Sequence, residues 1–274
     1  MPAQASFMSI SSSAEIHPAA VIESGAEIGN GCRIEAFAVI GPEVVLAERV
    51  HVKSHAVVTG STSIGSETVV FPYACVGEVP QDLKYAGEKT RLEVGKRNRI
   101  REGVTMNVGT KHGGGITRVG SDCLFMTGAH VGHDAQVGNH VIMANQAALG
   151  GHVEIGDYVI IGGLAGIHQF VRIGTGAIVG ALTMVRRDVI PYGQVEGPIG
   201  TMRGTNLIGM RRRGFRGRDV SALQKVYQKL ANHDGPLEEA IELLAVQESD
   251  RNKLIQDVVD FVRSSSRRQL LALR

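Results

Sequence analysis

The sequence predicts a mainly β fold, a parallel β-helix of hexapeptide repeats, followed by a small C-terminal α-helical domain. Three observations carry that expectation. Apolar residues recur every six positions through most of the chain. Glycine supplies 35 of 274 residues, while aromatics make up 4 % and tryptophan is absent; ordinary glycine usage is about 7 %. After Asp219 the period of six gives way to helical spacing.

The repeat begins at Ile16 and runs through Ile22, Ile28, Ile34, Ile40, Leu46, Val52, Val58, Ile64, Val70 and Val76. A second block reads Val94, Ile100, Met106, and a third runs from Val119 through Phe125, Val131, Val137, Met143, Leu149, Ile155, Ile161, Ile167, Ile173 and Val179 to Val185. No polar residue interrupts the series. The fifth residue of the hexads is small or β-branched nearly throughout, as in Ala20, Ala26, Cys32, Ala38, Val44, Ala129, Ala135 and Ala147. A period of six sustained this long is the signature of a β-helix. Each hexad is a short strand plus a corner, and three hexads close one triangular coil. Coils then stack at the strand spacing of about 4.8 Å. The first residue points inward, and the fifth must be small. Glycines such as Gly41, Gly65, Gly120, Gly138, Gly156 and Gly174 are expected to serve the turns.

Two stretches, 77–93 and 107–118, do not fit the period and are expected as loops thrown out from one edge, often on the binding side of a solenoid. The repeat fades after Val185, and Pro191, Gly193, Gly197 and Pro198 mark a junction. The β-helix is therefore assigned to residues 1–192 and the helical domain to 193–274. In the latter, Asp219 is expected to cap a helix carrying Val220, Leu223, Val226, Tyr227 and Leu230. Gly235-Pro236 should open a second helix with Leu237, Ala240, Ile241 and Leu244, and a third carries Leu254, Val258, Phe261 and Val262.

Composition narrows the function classes. The chain has 29 Lys+Arg against 27 Asp+Glu, a net charge of +2, which is no nucleic-acid signature. Cys32, Cys75 and Cys123 form neither a disulfide framework nor a metal-binding pair and read as reduced thiols of a cytoplasmic protein. Met1–Ser13 has no signal-peptide pattern. The longest apolar run falls short of the roughly 20 residues of a membrane span.

Stacking brings chemistry to one wall. The hexads starting at Val131, Leu149 and Ile167 share a face and carry His133, His152 and His168. Asp134 lies one coil from His152 in the same column, and His130 precedes the corner into the Val131 hexad. A surface histidine is ordinary, but four of the chain's ten histidines gather here. Such a cluster suits general acid–base work or metal binding. A second concentration, Arg203, Arg211-Arg212-Arg213, Arg216 and Arg218, lies at the domain junction and suits phosphate or an acidic protein, against the plainer reading of a solvated surface run.

Six motifs, in order, narrow this further: Gln81-Asp82-Leu83-Lys84-Tyr85-Ala86-Gly87-Glu88, Asn98-Arg99-Ile100-Arg101-Glu102, Ala129-His130-Val131-Gly132-His133-Asp134, Gly151-His152-Val153, Ile167-His168-Gln169-Phe170 and Arg212-Arg213-Gly214-Phe215. Over nearly its whole length the sequence resembles the hexapeptide-repeat family of acyl-carrier-protein-dependent UDP-N-acetylglucosamine O-acyltransferases. The inserted loop is the specific part of the match. The resemblance implies a left-handed coil and transfer of an (R)-3-hydroxyacyl chain from acyl carrier protein to the 3-hydroxyl of UDP-N-acetylglucosamine, the first step of lipid A biosynthesis. By the same resemblance His133 is the general base, Asp134 orients it, and the Gly151 N–H receives the oxyanion. His130, His152, His168 and Gln169 contact sugar nucleotide or acyl chain, and Asp82 and Lys84 hold substrate from the loop. Asn206, Arg212 and Arg213 meet uridine, phosphates or the carrier's phosphopantetheine, and Ala181 limits acyl length. No metal and no cofactor beyond that carrier arm are implied. The family works as a homotrimer, with sites between subunits, because one prism wall is convex. The sequence departs from the family's pattern at Ile208, where a Glu can stand, and at Val108, where a basic residue is more usual. Two rivals are a hexapeptide-fold zinc carbonic anhydrase, which also places three histidines between subunits, and acyl transfer to a 3-amino sugar nucleotide.

Overall fold

The computed structural model describes residues 9–232, 252–264 and 266–272. The hexads form a left-handed parallel β-helix. Two-residue strands stack into three sheets of 9, 11 and 9 strands, one on each side of a triangular prism. Within regular stretches each residue pairs with the one three hexads on, as Glu27 does with Val45 and His130 with Ala148. The inward residue of each hexad is buried from Ile28 to Val185; Ile16 and Ile22, at the open end, are half-buried. Aliphatics fill this interior because a stack of short parallel strands repeats one shape of hole. The third sheet's strands include Cys75–Glu78, Thr105–Asn107, His130–Val131, Ala148–Leu149 and Gly166–Ile167.

The corners correct one expectation. At most of them the left-handed residue is not glycine but the fourth of the hexad, including Phe37, Arg49, His55, Asp134, His152 and Phe170, all with φ between 54° and 64°. The glycines named for the turns do something else. At Gly120 a Cβ would lie 2.4 Å from the Gly138 carbonyl oxygen, and at Gly174 it would lie 2.4 Å from the Pro191 nitrogen. Gly65, Gly120, Gly138, Gly156 and Gly174 all follow strands of the first sheet and are small so that successive coils can touch at that corner.

The interruptions share an address. The 77–93 insertion leaves after Cys75–Glu78 and returns at Arg91–Val94; the second leaves after Thr105–Asn107 and returns at Ile116–Val119. Both span the corner from the third sheet to the first. Pairing skips over them, so that Ser61 meets Arg91 and Thr105 meets His130.

Gly193–Glu196, assigned from sequence to the C-terminal part, extends the second sheet by pairing in parallel with Ile178–Val179, and Thr201–Thr205 follows antiparallel. Helices α1 (Leu207–Arg212), α2 (Gly217–Ala231) and α3 (Lys253–Arg263) come next. Asn206, not Asp219, carries a capping side chain here. Helix α2 starts earlier than expected, with Arg216 at its N-cap and Asp219 inside the first turn, where a carboxylate favours the helix dipole. The helix expected from Gly235-Pro236 lies outside the described residues. The C-terminal part is tied to the prism by buried Asp188, which accepts hydrogen bonds from Arg172 N (2.9 Å), Arg172 Nε (2.8 Å) and Ser266 Oγ (2.5 Å). Main-chain bonds from Asp188 N to the Gln269 carbonyl and from Leu271 N to the Asp188 carbonyl fasten the final segment in a parallel bridge.

Candidate active site

The corner that throws out both loops also carries the histidines. In the coil after the second loop, the chain turns from His130–Val131 to Gln136–Val137 through His133 and Asp134. Neighbouring residues of an extended strand point to opposite faces. Asp134 escapes this rule by adopting φ 59°, a conformation aspartate tolerates better than most residues. Its carboxylate swings beside its neighbour's ring, and His133 Nδ1 lies 2.8 Å from Asp134 Oδ2.

The second inserted loop holds that carboxylate. Thr110 N donates to Asp134 Oδ1 at 2.9 Å, and Thr110 Oγ1 to Oδ2 at 2.6 Å. Thr117 Oγ1 accepts from Asp134 N at 2.7 Å. The loop can approach so closely because residue 113 is glycine: a Cβ there would fall 2.1 Å from the Asp134 carboxyl carbon. Asp134 is 3 % exposed. Burial alone would raise its pKa, but the bonds from His133 and Thr110 outweigh it and hold the carboxyl below its ordinary value. An ionised Asp134 accepts, so His133 Nδ1 is the donor and, in the neutral ring, Nε2 is the nitrogen open to a substrate proton.

One coil on, His152 Nε2 is 3.8 Å from Asp134 Oδ2, and the His152 ring meets His133 edge-on at 5.1 Å between centroids. Another coil on, Phe170 stacks on His152 at 4.4 Å. The ladder of Asp134, His152 and Phe170 thus occupies the same left-handed corner position in successive coils. His130 Nδ1 is 2.8 Å from Thr105 Oγ1. Burial lowers the pKa of both His130 and His152, with the neighbouring His133 adding to the effect and Asp134 opposing it at His152. Both rings therefore hold a proton less readily than a free imidazole. Gly151 faces the reactive edge of the dyad, since a Cβ there would lie 2.5 Å from His133 Nε2. Its carbonyl accepts from Phe170 N at 3.1 Å. Among the described residues its own N–H donates to no backbone acceptor.

The remaining expected residues sort unevenly. Half-buried Asp82 and exposed Lys84 sit on the first inserted loop, where Asp82 Oδ1 accepts from Lys84 N, and Asp82 is near enough to raise the His152 pKa. His168 and Gln169 are exposed two coils above Asp134's strand. Ala181 is exposed on the coil above them. Arg212 is exposed on α1, as is Ile208, while Val108 is buried. Two residues are committed otherwise than expected. The Asn206 amide caps α1 through Gly209 N (2.9 Å) and donates to the Gly176 carbonyl (2.9 Å), leaving it 6 % exposed. The Arg213 guanidinium lies over Tyr158 at 4.0 Å and near Phe215 at 4.9 Å. It fills the corner space above Tyr158 that a side chain at Gly176 would otherwise claim.

Thr110 and Gly113 are the parts that sequence reasoning missed. The glycine run of the insertion was visible, but nothing periodic says where such a loop folds back. Within one chain the corner gives the zinc alternative little support. His133, Asp134 and His152 offer donor atoms within 4.8 Å of one another. Those of the first two are hydrogen-bonded to each other, and Thr110 holds both oxygens of the carboxylate. Three histidines converging on a common centre, as zinc hydrases need, are not what this corner presents.

The sequence matches the family model for UDP-N-acetylglucosamine O-acyltransferase, domain 2, over residues 188–270. It also matches the bacterial transferase hexapeptide model over residues 8–42 and 25–60. It is 52 % identical over 258 residues to the acyl-[acyl-carrier-protein]–UDP-N-acetylglucosamine O-acyltransferase of Rickettsia canadensis (strain McKiel), covering 94 % of this chain and 97 % of that protein. Identity is 51 % over 257 residues, with the same coverage, to the protein so named from Rickettsia prowazekii (strain Madrid E). The structure of the UDP-N-acetylglucosamine acyltransferase from Campylobacter jejuni superposes with a TM-score of 0.89 at 36 % identity, over 95 % of this chain and 100 % of that one. That from Francisella novicida superposes with a TM-score of 0.84 at 34 % identity, over 96 % and 94 %. The family model and the two Rickettsia names specify an O-acyltransferase, and none of the names points to a carbonic anhydrase or an amino-sugar acceptor.

Proposed function

Because this chain belongs to the acyl-[acyl-carrier-protein]–UDP-N-acetylglucosamine O-acyltransferase family, it catalyses the first step of lipid A biosynthesis, and we propose that the His133–Asp134 dyad carries the chemistry. The acyl chain, an (R)-3-hydroxyacyl group, passes from the carrier's thioester to the sugar 3-hydroxyl. An alcohol is a weak nucleophile, so its proton must leave as it attacks. His133 Nε2 takes that proton as the C–O bond forms, Asp134 steadies the imidazolium, and the thioester oxygen becomes an oxyanion. The Gly151 N–H is free of the ladder and beside the dyad, which suits it to that oxyanion. Collapse breaks the C–S bond, and His133 returns the proton to the departing thiolate.

The observation that carries this reading is the 2.8 Å bond between His133 Nδ1 and the buried Asp134 carboxylate. It leaves Nε2 as the free base. The same bond is why the reaction is proposed to run without a metal. His130, His152, His168, Gln169, Asp82 and Lys84 line the approach for sugar nucleotide and acyl chain, and Ala181 bounds the chain's length. Arg212 and its exposed neighbours would meet phosphates and the acidic carrier. Asn206 and Arg213 support that surface from within.

The working unit is a homotrimer. Leu83, at the tip of the first inserted loop, is fully exposed (107 %), and a neighbouring copy would both cover it and enclose the convex wall. No helix among the described residues is long and apolar enough to cross a membrane. A carrier-protein donor and a sugar-nucleotide acceptor go with a cytoplasmic location, which is part of this reading. The test is incubation with UDP-N-acetylglucosamine and a panel of 3-hydroxyacyl carrier proteins, read by mass spectrometry. A sugar nucleotide heavier by one 3-hydroxyacyl group is expected, and His133→Ala should lower its rate by about 10²–10⁴-fold. A sugar nucleotide of unchanged mass sinks the reading.

A further inference from the structure

The corner ladder does not end at Phe170. His152 stacks on the Phe170 ring at 4.4 Å, and the Arg267 guanidinium lies over the same ring at 4.8 Å. Arg267 comes from the final segment, far along the chain. It is held there by a built anchorage, because its neighbour Ser266 donates to buried Asp188 and the following residues bond to the Asp188 main chain. Arg268 adds contacts to His168 Nδ1 (2.9 Å) and the Gln169 carbonyl (3.2 Å). Ser266 and Arg267 line one groove of about 460 Å³ together with Asp134, His152 and Phe170. The C-terminal segment thus supplies the last rung of the column whose first rung is the dyad's carboxylate.

Resting on the acyltransferase reading, we propose that Arg267 is a positioning residue of this site: clamped over Phe170, it fixes the His152 ring and repels a proton from it, so that Asp134 stays committed to His133. His152 Nε2 is 3.8 Å from the carboxylate oxygen that His133 uses. A protonated His152 would compete for that oxygen as a full cation, weakening the bond that orients the base. The groups around His152 pull in both directions. Asp134 and Asp82 favour its charged form, while burial, His133 and Arg267 disfavour it. His112, Glu154, Arg118 and Arg172 lie on the same groove. Arg267 is the guanidinium placed over His152's own stacking partner, and a guanidinium does not lose its proton.

The experiment is a histidine titration by NMR on the full-length protein, with His152 assigned from the spectrum of His152→Gln. Removing a cation one ring away should raise the His152 midpoint by about half a pH unit in Arg267→Gln, the Coulomb effect expected in a half-exposed site. Arg267→Lys, which keeps the charge, should leave the midpoint near the native one. In parallel, kcat/KM of Arg267→Gln should fall on the acid side, its acid limb moving up by the same half unit, while the alkaline plateau is nearly kept. An unmoved His152 midpoint overturns the proposal, as does an equal loss at every pH, which would mean a merely structural contact. The titration needs no turnover. If no acyl transfer is detected with any donor, the function falls while the His152 measurement still decides this inference.

Discussion

At the scale of single residues, one backbone conformation makes the site. His133 and Asp134 are adjacent in sequence, and a β-strand would have turned them apart. The left-handed φ at Asp134 turns them together. The histidine cluster and this adjacency were legible in the sequence. The Thr110 clasp was not, because a non-periodic loop gives no hint of which atom it returns to. Asn206 and Arg213 already hold contacts within the chain that the sequence did not signal, the first capping α1 and the second lying over Tyr158. Asp134→Asn is expected to lower kcat by about 10²-fold or more, since the amide cannot stabilise the imidazolium. It should also cost about 1.5–3 kcal/mol of stability at pH 7. The native carboxyl titrates below its unfolded value of about 3.9, so its contribution is complete above that pH and is lost as the pH falls through the native value. Urea midpoints should therefore differ between wild type and variant at pH 7 and converge under strong acid; an equal gap at both pH values would contradict the assignment. Ala181→Gly should let the enzyme accept a longer acyl chain, read as a heavier product in competition between donors. An unchanged product would remove Ala181 from that role.

At the scale of the repeating element, the hexad was the clearest message in the chain and its corners the most misread. The period located the strands because inward residues must be apolar at every coil. Glycine was assigned to the turns because glycine is the residue that adopts left-handed conformations most cheaply. Here most corners hold ordinary residues in that conformation, and stacking supports them. Phe37, His55 and Tyr73 form parallel rings at 5.0 and 5.3 Å, and Arg97 makes a two-bond pair with Asp122 at 2.7 Å. Rungs from neighbouring coils offset the left-handed cost, about 1–2 kcal/mol for a non-glycine residue. Leu164 has φ 59° and is 61 % exposed, so Leu164→Asn should stabilise the protein by about 0.5–1 kcal/mol. Gly138→Ala should do the opposite, costing about 1–3 kcal/mol, because its Cβ would fall 2.8 Å from the Asp157 nitrogen. Thermal denaturation of the two variants checks both signs; a destabilised Leu164→Asn or a neutral Gly138→Ala would refute this account of the corners.

At the scale of the whole molecule, both insertions, the dyad and the C-terminal segment meet along one edge of the prism. The sequence marked the insertions and the helices but not their meeting, since convergence on one edge depends on counting coils across interrupted stretches. Leu83→Asp, at the exposed loop tip, is expected to weaken the trimer. Light scattering coupled to gel filtration should read the wild type at three chain masses and the variant at less, with activity falling alongside. A fully active monomer would refute an intersubunit site.

Each coil bonds only to the coil before it and the coil after it, and this has a consequence for how such a protein can change over generations. Gaining or losing one residue in a strand would turn inward side chains outward from that point on, and would be ruinous. Gaining or losing a complete coil below the first loop would merely lengthen or shorten the column and carry the dyad along intact. Tolerated length variation in the N-terminal half should therefore come in whole turns of the prism, while loops on the dyad's edge remain at liberty to grow by any number.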